Sequence, residues 1–191
     1  MPRVGIVLGS TRPGRVGEAV ARWVLEIARK RTDAEFELVD LKDVNLPLLD
    51  EAVPPSAGKY AQAHTQDWSK VIGSFDAFVF VTPEYNHSVP AGLKNAIDYL
   101  FAEWNHKAAG FVSYGSSGGV RAVEHLRLIL AEVMVATVRM QVPLPISTDF
   151  ENFRVFKPLP IREPQLNTML DQLIAWANAL RPVREHPPPR R

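Results

Sequence analysis

The stretch VGIVLGSTRPGRVG, residues Val4–Gly17, changes character twice. Val4–Leu8 is apolar and rich in β-branched side chains, as a strand buried on both faces must be. From Val16 onward the period lengthens to that of a helix. Val16, Val20, Trp23, Val24 and Ile27 share one face, and Glu18, Arg22, Glu26 and Arg29 share the other. The turn between them gathers Gly9, Ser10, Thr11, Arg12, Pro13, Gly14 and Arg15. A strand–turn–helix unit therefore opens the chain, and its turn concentrates donors and positive charge.

The same alternation continues outward. EFELVDL (35–41) reads as a second strand, whose acidic content places it at a sheet edge. NLPLLDEAVPPSAG (45–58) is a Pro-rich loop, and Lys59–Ile72 a helix ending near Gly73. DAFVFVTP (76–83) is the clearest buried strand. Ser88 and Pro90 mark the start of a helix expected to run to Trp104. KAAGFVSY (107–114) is a strand, and Gly118 to Val135 a helix with Val123, Leu126, Leu130 and Met134 inward. TVRMQVPLPI (137–146) gives a last strand, followed by a Pro-interrupted loop and a helix from Glu163 to Leu180.

Repeated strand–helix alternation implies an α/β fold, a parallel sheet with helices on both faces. Right-handed crossovers and a polar second strand favour the order 2-1-3-4-5, a flavodoxin-like three-layer sandwich. A ligand then sits beyond the carboxyl ends of the strands, where strand order reverses between the first and third. Residues 1–181 are expected to form one domain, and 182–191, ending in HPPPRR, a disordered tail.

Composition excludes several functions. Lys and Arg number 22 against 21 Asp and Glu, a net charge of +1, which gives no attraction to nucleic acid or anionic membranes. The absence of cysteine removes disulfides, thiolate metal sites and iron–sulfur clusters. The histidines His64, His87, His106, His125 and His186 lack zinc-ligand spacing, so no metal is expected. No apolar run reaches membrane-spanning length, and the first strand begins too early to leave room for a signal peptide. A cytoplasmic location is expected.

Three loops meet at the carboxyl edge of such a sheet. In the first, Gly9 permits a tight turn, while Gly14 and Gly17 allow close approach to a ligand. A helix start attracts anions. Ser10 and Thr11 add hydroxyls there, and Arg12 and Arg15 can each grip a phosphate with two donors. The spacing matches neither a dinucleotide fingerprint nor an NTPase loop, so a terminal phosphate monoester fits. In the second, Pro83 stops a strand, and Tyr85 and Asn86 can flank and hydrogen-bond a flat heterocycle. In the third, Gly115, Gly118 and Gly119 surround Ser116 and Ser117 and allow contact with a ligand plane. Each loop alone also reads as an ordinary turn. Jointly they describe a mononucleotide with a large planar head, which FMN fits best.

GSTRPGRVG, PEYNHSVPAGLKNAIDYL and YGSSGG resemble the NADPH-dependent FMN reductase family, with its chromate, quinone and azo-dye reductases. The resemblance spans Val4 to Leu144. It implies a flavodoxin-like fold, bound FMN, and hydride transfer from NADPH or NADH to a small acceptor: a quinone, a flavin, an azo compound or a metal oxyanion. Carried over, it implies that Ser10, Arg12, Arg15, Val16 and Gly17 hold the phosphate. Pro83, Glu84, Tyr85 and Asn86 would line the isoalloxazine, and Tyr114, Gly115, Ser116 and Ser117 would close its other side. The flavin N5 carries the chemistry, so no catalytic acid, base or nucleophile is expected from the protein. Leu93, Ile97, Leu100, Phe101 and Trp104 form a wide apolar stripe, so a homodimer or homotetramer through the 91–104 helix is expected. The rival readings are a flavodoxin-type electron carrier and a non-catalytic flavin-binding regulatory protein. Arg12, Arg15 and the near-neutral charge argue against the carrier.

Overall fold

In the computed structural model, which describes residues 1–187, the opening apolar run forms β1 (Arg3–Leu8) and the amphipathic run α1 (Gly17–Ala28). β2 (Glu35–Asp40), the short α2 (Leu41–Val44), a single 3-10 turn (Pro55–Ala57) and α3 (Ala63–Gly73) follow. β3 (Ala77–Pro83), α4 (Ala91–Asp98), β4 (Ala108–Gly115), α5 (Val120–Glu132) and β5 (Ala136–Pro145) complete the alternation. Beyond β5 come α6 (Ile146–Asp149), β6 (Phe150–Glu151), β7 (Val155–Phe156) and α7 (Arg162–Glu185). The main sheet has the order β2-β1-β3-β4-β5, all parallel, as the strand pattern implies.

The sheet separates two cores. Val4, Ile6, Leu8, Val79, Val81 and Val112 face α1 and α7 in an aliphatic layer. Val7, Phe78, Phe80 and Phe111 face the other way, where Trp68 and Trp104 join them in an aromatic layer. Strand alternation produces this division, because successive side chains point to opposite faces. β3 and β4 are buried along their whole length, which is why they read as unbroken apolar runs.

Several expectations change, among them the inward placing of Met134, which lies beyond the end of α5 and is 45% exposed. α4 ends at Asp98, not at Trp104. Two indoles take the carbonyls of its last turn: Trp68 Nε1 donates to Ala96 O at 2.8 Å and Trp104 Nε1 to Ile97 O at 3.2 Å. Trp104 can do so only if the chain turns back after the helix. The apolar stripe is also covered within the chain, since Leu93, Ile97, Leu100 and Trp104 are each 1% exposed. The homodimer or homotetramer expected through residues 91–104 thereby loses its sequence argument. Finally, α7 passes the expected boundary at 181 and takes in Pro182. Arg184 anchors this last turn by donating to Asp76 at 2.9 Å and to His106 O at 3.2 Å. Of the expected tail, residues 188–191 lie outside the described residues.

An unexpected buried cation lies at the amino end of β4. Lys107 is 6% exposed and its Nζ donates to Ile72 O, at the end of α3, at 2.7 Å. Burial lowers its pKa to about 8, with Asp76 pulling the other way. An unfolded lysine titrates near about 10.4. Between those values the unfolded chain binds more protons, so stability rises with pH over that window. A Lys107→Met variant should lack this alkaline rise. Urea midpoints measured in both proteins from about pH 8 to pH 10, a range set by those two pKa values, should diverge.

Candidate functional site

Parallel pairing brings the three loops together. Leu8 lies opposite Val81, and Pro83 opposite Tyr114, so the turns after β1, β3 and β4 open side by side. A cavity of about 880 Å³ lies there. The first loop and the start of α1 contribute Arg12, Gly14, Arg15, Val16 and Ala19 to its lining, and the second and third loops Pro83, Glu84, Tyr85, Tyr114, Gly115 and Ser116. Ile146, Phe153 and Arg154, which follow β5, close the side. Of the expected site residues, Ser10, Gly17, Asn86 and Ser117 are adjacent in sequence but do not line it. A second cavity of about 760 Å³ sits at the opposite, amino-terminal edge of the sheet, around Asp76, Lys107 and Arg184. Those three are held by one another or by backbone carbonyls, and none of the three loops reaches it.

The turn after β1 is held by an ion pair that its own sequence does not disclose. Asp40 ends β2 directly beside Leu8. Its carboxylate binds both terminal nitrogens of Arg15, one at 2.7 Å. Arg15 also donates to Ser10 O, and its side chain is only 7% exposed. Arg15 was expected to grip a phosphate; its geometry instead makes it the brace of the turn. Arg12 is different. It is exposed, its side chain makes no ion pair or hydrogen bond among the described residues, and its guanidinium lies over the Tyr85 ring at 6.0 Å. Ser10 is fully buried, with its Oγ 3.0 Å from Tyr85 Oη.

α1 starts without a side-chain cap, Val16 occupying the cap position. Its first N–H groups therefore have no side-chain acceptor, as an anion site requires. Gly17 is buried against the Tyr114 hydroxyl, and any Cβ there would collide with it. That hydroxyl is itself buried without a well-formed hydrogen bond. Burial pushes the Tyr114 phenol well above its usual range.

The second and third loops are tied to each other. Burial opposes ionisation of Glu84, but hydrogen bonds and charge from Arg121 outweigh it and hold the carboxyl below its usual range. Glu84 accepts from Arg121 Nε at 2.6 Å and from the Arg121 backbone N–H, in the first turn of α5, at 3.1 Å. Its carboxylate thus caps α5, although the residue also lines the cavity. Tyr85 and Ser88 exchange two backbone hydrogen bonds of 3.0 Å around Asn86 and His87, whose φ values are 47° and 73°. Two left-handed residues in succession make this a tight, strained turn. Gly118 and Gly119 are left-handed too, and a Cβ on Gly119 would strike the Tyr114 backbone.

These features fit FMN. The cavity volume lies in the range of cofactor sites. An unpaired arginine side chain and an uncapped helix start could serve a phosphate, and Pro83, Tyr85 and Gly115 line the same cavity beside them. The orphaned Tyr114 hydroxyl adds a buried polar atom in the wall. Sequence reading missed Asp40, Ala19, Ile146, Phe153 and Arg154. Asp40 could have been found as an acidic residue ending the strand next to the arginine-rich turn. Nothing comparable marks the others.

Comparison with known proteins gives the following matches. The family described as NADPH-dependent FMN reductase matches residues 2–149. An NAD(P)H-dependent FMN reductase, ntnL, from Nectria sp is 37% identical over 158 residues, covering 78% of this chain and 79% of its own. A quinone reductase from Escherichia coli (strain K12) is 38% identical over 135 residues, covering 67% and 69%. Among solved structures, FerB, a flavoenzyme NAD(P)H:(acceptor) oxidoreductase from Paracoccus denitrificans, superposes with a TM-score of 0.70 at 22% identity, covering 94% of this chain and 98% of that one. At that identity the likeness concerns the fold alone.

The brace can be tested before any ligand. Asp40→Ala leaves the Arg15 guanidinium buried without its partner, which costs about 3 kcal/mol. Arg12→Ala removes only an exposed side chain and should stay within about 0.5 kcal/mol of the parent. Guanidinium chloride unfolding of both variants should separate them in that order.

Proposed function

The chain belongs to the NADPH-dependent FMN reductase family of oxidoreductases, which use FMN and a nicotinamide nucleotide, and from that premise we propose that it passes hydride from NAD(P)H through FMN to a small planar acceptor, a quinone foremost. The observation that carries this reading is the cavity that places an unpaired arginine and an uncapped helix start beside Pro83, Tyr85 and Gly115. The likeness to a protein named quinone reductase supports the acceptor class.

In this reading Arg12, the free N–H groups of Val16 and Gly17, and the Ser10 turn hold the phosphate. Arg15 keeps that turn in shape through Asp40. Pro83, Glu84, Tyr85 and Asn86 fix one side of the ring, Glu84 through its brace to Arg121 and Asn86 through the strained turn. Tyr114, Gly115, Ser116 and Ser117 form the other side, held by the two left-handed glycines that follow. FMN held by these residues would supply the hydride-transfer chemistry. The wall groups have fixed protonation states: Glu84 is ionised against Arg121, and the raised Tyr114 phenol keeps its proton and stays neutral. The protein binds, orients and excludes water, and the same open space admits the nicotinamide and the acceptor in turn.

Two measurements test this. Calorimetry should show FMN binding far more tightly than riboflavin. Arg12→Ala should cost roughly ten- to a hundredfold in FMN affinity, the worth of one charge-assisted contact. Steady-state turnover with NADPH and with NADH, across a panel of quinone, flavin, azo and metal-oxyanion acceptors, should give parallel double-reciprocal lines. Equal affinities for FMN and riboflavin, or intersecting lines, would overturn the phosphate and shared-space parts of the reading respectively.

A further inference from the structure

The β6–β7 hairpin is the cavity element that no motif announced. Its base is firmly seated. Phe150 packs on Tyr114 with ring centroids 6.2 Å apart and on Phe156 at 5.2 Å, and Phe156 meets Trp23 of α1 at 5.6 Å. Asp149, fully buried just before the hairpin, accepts from Arg162 Nε at 3.0 Å and from Leu159 N at 3.0 Å. The tip is strained: Asn152 and Phe153 have φ values of 50° and 58°. Arg154 N closes it by donating to Glu151 O at 3.1 Å. A rigid base and a tight tip fix where Arg154 stands, at the cavity wall.

Charge at that wall is unbalanced. Of its ionisable groups, Arg15 is neutralised by Asp40 and Glu84 by Arg121. Arg12 and Arg154 remain, both exposed and both without an ion pair or side-chain hydrogen bond among the described residues. The acidic residue of the hairpin, Glu151, is paired instead with Lys157, at 3.9 Å. Two uncompensated guanidinium groups on one cavity call for a ligand with about two negative charges, that of a phosphate monoester.

We infer that Arg154 is a phosphate-binding residue, the second arginine of the cavity in the place that Arg15 does not fill. This rests on the FMN-binding reading above. The phosphate has two possible sources, the 5′-phosphate of the flavin and the 2′-phosphate of NADPH, which share the chemistry and differ in the ligand.

Calorimetry separates them. The first arm titrates the flavin-free protein with FMN and with riboflavin. The second titrates the FMN-loaded protein with adenosine 2′,5′-bisphosphate and with 5′-AMP. Arg154→Ala should weaken one phosphate-bearing ligand, FMN or the bisphosphate, by about tenfold or more, the worth of one charge-assisted contact. Its partner without that phosphate should bind as before. Arg154→Lys should recover part of the loss, since it keeps the charge but not the two-pronged geometry. The exposed side chain makes no contact that the fold needs, so thermal melting of both variants should match the parent. Loss in the first arm assigns Arg154 to the flavin, and loss in the second to the nucleotide. If the parent prefers FMN to riboflavin and Arg154→Ala changes neither arm, the inference fails while the flavin reading stands. If the parent shows no such preference, the flavin reading falls and takes the inference with it.

Discussion

Parallel pairing of β1, β3 and β4 is the constraint from which the rest follows. Parallel strands need a crossover between each pair, so every strand ends at the same edge and every connection leaves there. The cavity residues are far apart in the chain, from Arg12 to Arg154, yet Leu8 is level with Val81 and Pro83 with Tyr114. No interaction within a single loop could bring them together. The continuous burial of β3 and β4, with helices on both faces, makes that register costly to change.

On this frame, charge is used chiefly as a brace. Arg15 and Asp40 fasten the first loop to the edge strand, and Glu84 and Arg121 fasten the second loop to the helix that follows the third. The Arg15–Asp40 pair, largely withdrawn from water, gains little net stability, because desolvation consumes much of the attraction. Both pairs hold loops in one arrangement, and that is what a site built from three separate turns requires. The residues left over for a ligand are those without such partners.

The sheet order and the position of the site were legible because they depend on local patterns. β1, β3 and β4 are apolar runs too regular to mistake, and the glycine-rich turns after them stand out against those runs. What was illegible depends on distance along the chain. Asp40 stands 25 residues from Arg15, and only the pairing of β2 with β1 makes it that residue's partner. Nothing near Asp98 reveals that indoles at 68 and 104 will take the carbonyls of α4. The same hidden contacts account for the apolar stripe that suggested an oligomer, since its far wall is contributed by the aromatic layer. β6 and β7, two residues each, are too short to show any period, so Arg154 went unnoticed between them.

The unequal two faces of the sheet have an optical consequence. Trp68 and Trp104 are buried in the aromatic layer, on the face away from the hairpin, and Trp176 is largely exposed. Trp23 alone packs beneath β7, at the end of a run of rings through Phe156 and Phe150 to Tyr114. Of the four indoles, Trp23 is thus the one whose emission would follow the hairpin and the cavity wall behind it. The molecule therefore carries an intrinsic fluorophore beside the segment whose role is newly assigned, and needs no attached dye to reveal movement there.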